Sequence, residues 1–190
     1  MVRVPRSPSY FSPLTSHLFV CYFLYIASPL TLSEVRSMLP RGSVADLASF
    51  GDQQALKSIH PDAQTVARLL IGRCSCDFVR PRLADAREDE RHLRERYRSL
   101  GASRERVIPA LERHRHGASQ RLRTGTWSGA LAEFVAEHAR NAGPTLYHLN
   151  FSPEGTPLTP PGKVRPVSLA GVLAAPEGWL VEGSPALVSR

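Results

Sequence analysis

The chain has 190 residues, a formal net charge of +7 and 42% hydrophobic residues, enough for one domain with a real core and too short for two comfortable ones. Three cysteines at this size argue against the disulfide framework of a small secreted domain and fit a reducing compartment, the cytoplasm. The longest apolar run, residues 18–27, is about half of what a membrane-spanning helix needs, and no phosphate-binding glycine loop, HExxH, Ser-His-Asp order or paired CxxC is present.

Residues 1–19 are rich in Ser and Pro, carry Arg3 and Arg6 and contain no acid. They are expected to be a disordered tail or a spurious extension preceding a single globular domain over residues 20–190, with Val20 as the initiator in a GC-rich coding context. A signal segment over residues 1–28, which would export the protein, is the alternative, although Ile26 stands where a small side chain should precede the cut.

Val20 to Ser28 is β-branched and aromatic and ends at Pro29, the pattern of a buried strand. Thr31-Leu-Ser-Glu34 is a capping box that starts a short helix stopped by Pro40. A second short helix begins at Asp52, and residues 65–72 form an apolar strand. Residues 84–100 make the clearest helix, with Leu93, Tyr97 and Leu100 on one face and Gly101 as its left-handed stop. After another helix near Ser103, Trp127, Leu131, Phe134, Val135 and His138 share a stripe that ends at Gly143-Pro144. Residues 145–151 read as a strand, and residues 167–174 with 179–181 as a terminal hairpin. The sum is an α/β (or α+β) domain, a mixed sheet of about five strands with a helical block between the second and third. Helical crossovers among the first three strands would allow parallel neighbours.

The candidate site lies in the thiols. Residues 74–81 either continue the 65–72 strand past a bulge or turn into a helix; on a strand, the i, i+2 spacing of Cys74 and Cys76 puts both side chains on one face, and Cys21 begins another apolar strand with few places to go but the same sheet. Three converging sulfurs suit a soft metal, zinc above all, with a fourth position for water, Asp77 or His148. Cysteines serving only as small buried hydrophobes are the plain alternative.

Locally, the strand followed by Cys74-Ser-Cys76, then Pro81, and much later Gly143-Pro144-Thr145 opening a strand resembles the redox motif and strand-leading proline of the thioredoxin superfamily. The resemblance covers two short stretches, and one residue separates the cysteines where that family has two. It implies a thiol oxidoreductase whose reactive thiol, Cys74 or Cys76, is acidified by Arg73 and a helix N-terminus.

The basicity is local: residues 80–123 hold thirteen arginines against seven acids. Arg87, Arg91, Arg94 and Arg98 fall on one helical stripe that could contact nucleic acid or another polyanion. Acidic partners stand three or four residues away, such as Glu90 from Arg94, which is the pattern of a solvated, pair-laced helix. A domain without chemistry completes the set of readings, and enzymatic activity is left open.

Overall fold

The computed structural model describes residues 20–79, 86–112, 127–158 and 161–190. The expectations for residues 1–19 and for Pro81, and those for the side chains of Arg87 and Trp127, fall outside the described residues and side chains.

One open six-stranded sheet organises the described residues. In sequence order its strands are β1 (Val20–Ser28), β2 (Val44–Leu47), β3 (Thr65–Leu70), β4 (Thr145–Pro153), β5 (Arg165–Ser168) and β6 (Ala186–Ser189). Their spatial order is β2-β3-β1-β4-β6-β5. The helices are α1 (Leu32–Met38), α2 (Phe50–Lys57), α3 (Cys76–Val79), α4 (Ala86–Ser99), α5 (residues 104–112), α6 (Trp127–Ala142) and α7 (Leu169–Ala174). The mixed α/β architecture and the helical block ahead of the 145–153 strand are as expected.

β1 is central because it is apolar on both faces, and only a strand covered on both sides can bury all of its side chains. Leu24 and Ile26 point into a core with Val35, Phe78, Leu131, Phe134, Val135 and Val172, supplied by α1, α3, α6 and α7, and with Tyr147 of the neighbouring β4. Phe23, Tyr25 and Ala27 face the other way, against Leu56, Val66, Leu70 and Leu158, under α2 and the loop after β4. A third cluster sets Leu93 and Tyr97 of α4 and Val107 and Leu111 of α5 over Phe151 of β4.

Local signals act where they stand. Thr31 accepts from the Glu34 amide while the Glu34 carboxylate accepts from the Thr31 amide, so two otherwise orphaned helix-end donors are satisfied. Gly101 closes α4 with φ 70°, a conformation that disfavours any side chain.

Four expectations are corrected. β1 has no parallel neighbour: it is antiparallel to both β3 and β4, and among the described strands the parallel pair is β5 with β6. Helical crossovers exist, but two of them pass over an intervening strand. The α1 connection leads from β1 to β2 with β3 between them, and the long helical block leads from β3 to β4 with β1 between them. β2 itself was missing from the sequence reading, since it has four residues of which only Ala45 is buried. Leu100 is 47% exposed, because α4 ends one residue before it. Finally, Leu169–Ala174 is a helix, started by the Ser168 hydroxyl accepting from the Gly171 amide, and the last strand lies beyond it, at Ala186–Ser189.

Phe134 is 2% exposed in the main core. Phe134→Ala should cost about 3–5 kcal/mol, the lost transfer energy plus a cavity. Chemical denaturation checks this, and a loss below about 1 kcal/mol would show that the ring does not hold α6 on the sheet.

Candidate metal centre

Cys21 is the second residue of β1 and shares a face with Phe23 and Tyr25, directly opposite Ser152 of β4. The other two cysteines arrive from β3, though not on a strand. β3 ends at Leu70, and a tight turn follows in which the Ile71 amide donates to the Cys74 carbonyl at 2.9 Å. Gly72 carries that turn at φ 68°, in the left-handed region that glycine enters without steric cost. Cys76 then opens the one-turn helix α3.

Ser75, between the two cysteines, locks this segment in place. Its amide donates to the Tyr22 carbonyl at 2.8 Å. Its hydroxyl accepts from the Leu24 amide at 2.7 Å and donates to the Leu69 carbonyl at 2.5 Å. The residue is fully buried, so its three bonds satisfy backbone groups of β1 and β3 that would otherwise lie orphaned where β3 leaves the sheet. Phe78, 1% exposed, anchors the following turn in the core. The sequence reading passed over Ser75. A lone hydroxyl inside an apolar and cysteine-rich run was its only signal, and two of its three partners, Tyr22 and Leu24, lie more than fifty residues away on β1.

The result is a cluster in which the sulfurs of Cys21, Cys74 and Cys76 all lie within 4.8 Å of one another, each residue partly buried. None of the three is in a disulfide. Thiolates held at about 2.3 Å by a tetrahedral zinc stand about 3.8 Å apart, so small side-chain adjustments suffice for one ion to reach all three. The three cysteines can hold a metal ion. Of the two courses open to this segment the structure takes the turn into a helix, so Cys74 and Cys76 do not share a strand face; the turn and the start of α3 bring them to Cys21.

The other expected ligands stand apart. No His, Asp or Glu joins the cluster among the described residues. His148 pairs with Tyr25, four residues along β1 from Cys21 and about 13 Å away at the rise of a strand. Asp77 follows Cys76 in α3, outside the group of mutually close ligand atoms.

Cys21 and Cys74 hold their protons. Hydrogen bonding to Cys74 and Cys76, then burial, pushes the Cys21 thiol far up. At Cys74 the hydrogen bond from Cys21 pulls down, but hydrogen bonding to Cys76, burial and the neighbouring sulfur charge outweigh it, and the thiol is raised to about 11. For Cys74 this is the reverse of an acidified redox thiol, which needs a stabilised thiolate. The two stretches behind the thioredoxin resemblance also sit at opposite ends of the sheet. Cys21 pairs with Ser152 and Ala27 with Leu146, so Pro144 precedes the end of β4 farthest from the cysteines.

On the arginine stripe, Arg94 is paired with Glu90 at 2.7 Å, as the sequence pattern suggested, while Arg91 also has a partner and Arg98 is exposed. Off the stripe, Arg96 lies 4.5 Å from the Phe151 ring centre and donates to the Tyr22 hydroxyl and to Glu182. It fastens α4 to the sheet. No helix among the described residues is long and apolar enough to cross a membrane.

Comparison with protein-family models, curated proteins and solved structures returned no match for this chain.

Proposed function

We propose that this is a cytoplasmic metal-binding protein whose Cys21, Cys74 and Cys76 hold one soft ion, zinc, as thiolates. The observation that carries the reading is the convergence of all three cysteines of the chain, from two segments more than fifty residues apart, with sulfurs within 4.8 Å of one another. Soft thiolate donors select zinc, copper(I) or iron–sulfur chemistry over hard cations. Closed zinc sites with a structural role have four protein ligands, whereas sites with three keep a position for water or another ligand. With three cysteines and no fourth ligand among the described residues, the centre belongs to the open kind. A bound ion would also join β1 to the segment after β3, adding its binding energy to the stability of the fold.

Elemental analysis of the purified full-length chain, with a thiol count before and after unfolding, tests this. One zinc per chain is expected. Cys74→Ser should remove it and lower the melting temperature in the same variant. A metal-free chain that takes up no zinc with its thiols reduced, or a Cys74→Ser protein that keeps its zinc, would sink the reading. A disulfide among these cysteines in freshly isolated protein would favour redox chemistry instead.

A further inference from the structure

The donor set of the cluster is all sulfur. Among the described residues no histidine or carboxylate stands with Cys21, Cys74 and Cys76, whose ligand atoms all lie within 4.8 Å of one another. None of the three is in a disulfide, so each sulfur can still form a bond. A tetrahedral ion held here must take a fourth partner from solvent. An element that forms three bonds and carries a lone pair has no such need, because the lone pair fills the fourth direction.

The surroundings favour an occupant that brings no charge. Cys21 and Cys74 pack against the apolar cluster that includes Phe23, Tyr25, Val66 and Leu70, and all three cysteines are partly buried. Zinc on three thiolates leaves one net negative charge, which burial against apolar side chains opposes. A trivalent metalloid on the same three sulfurs is neutral. Cys21 is second in β1 and pairs with Ser152, next to last in β4, so the sulfurs stand at the rim of the sheet, where a small neutral molecule need not cross the core to reach them.

We propose that Cys21, Cys74 and Cys76 bind trivalent arsenic, taken up as arsenous acid, in a pyramidal three-sulfur complex. The proposal rests on the three-thiol centre put forward above and adds a second class of occupant to it. Soft sulfur donors suit this soft metalloid as they suit soft metal ions. The exchange balances without an outside reagent. Three S–H and three As–O bonds break, three As–S and three O–H bonds form, and three water molecules leave. Arsenic stays trivalent throughout, and no sulfur is oxidised. The pyramidal complex draws the three sulfurs together on one side of the arsenic, a small contraction of the cluster as it stands.

Native mass spectrometry and thiol titration of the full-length chain with sodium arsenite test it, the protein being kept reduced by a phosphine that offers no competing thiol. Wild type should take up one arsenic and lose all three titratable thiols, the only cysteines of the chain. Cys21→Ser, Cys74→Ser and Cys76→Ser should each bind on the order of a hundredfold more weakly, because each loses a bond that closes within one molecule. Phenylarsine oxide, with two exchangeable positions on its arsenic, needs two thiols and should still bind each variant, which shows that the remaining pair is in place. Wild type that takes up no arsenic, wild type that keeps a titratable thiol once arsenic has bound, or single variants that bind arsenite as well as wild type would each overturn the proposal. Zinc bound on these thiols with no uptake of arsenic would sink it and leave the zinc reading standing. Arsenic bound on all three thiols by a chain that refuses zinc would do the opposite.

Discussion

Zinc loading should fall by about two to three decades in affinity for each unit that pH drops between 8 and 6. Every thiol that becomes a ligand must first lose its proton, and each displaced proton contributes one decade per unit. Cys74 is raised to about 11 and Cys21 is pushed up further by its hydrogen bonds to the other two sulfurs. Both are therefore protonated in the metal-free protein throughout this window. Competition against a chelator of known affinity at pH 6, 7 and 8 measures the slope. Proton release measured in two buffers of different ionisation enthalpy counts the protons independently. A slope near zero would mean that the ion sits on carboxylates, already deprotonated across this window, and not on these thiols.

Acid should unfold the protein through two histidines. His138 is fully buried beneath the sheet, its Nε2 2.9 Å from the Ser28 hydroxyl and its Nδ1 3.2 Å from that of Thr145. Burial pushes it down to about 4, and it does the same to His148. An unfolded histidine titrates near 6.5. Above that value both states are neutral and nothing is lost. Between 6.5 and 4 the unfolded chain takes up protons that the folded chain refuses, so stability declines as pH falls through this window and levels off below it. Each histidine contributes on the order of 3 kcal/mol to the decline, and the pair together would consume much of the roughly 5–15 kcal/mol that holds a typical domain. Urea unfolding of the metal-free protein at pH 7 and pH 4.5 shows the difference. His138→Gln and His148→Gln should each flatten the pH dependence by about half, whatever they do to stability at pH 7. Equal slopes in wild type and both variants would exclude the histidines as the source.

The elements that read directly from sequence are those whose cause is local. Thr31 and Glu34 cap α1 with atoms three residues apart. The stripe of Leu131, Phe134, Val135 and His138 needed only the helical period to declare a buried face, and all four are buried. β1 announced itself as a buried strand by its continuous apolar run. The shared fate of the three cysteines was legible for a cruder reason: two apolar strands in a small domain have one sheet to join.

Pairing and aim were decided by tertiary structure. Strand direction depends on which edges remain open once the helices have chosen a face, so nothing in the sequence of β1 says that β3 and β4 flank it antiparallel. The sulfurs meet through a turn at Gly72 and the hydroxyl of Ser75, whose partners lie on β1 and β3. His148 was a reasonable ligand by type, and register alone sets it opposite Tyr25 and not Cys21. In an antiparallel pair a residue's neighbour is fixed by the sum of two residue numbers, a quantity that neither strand carries by itself.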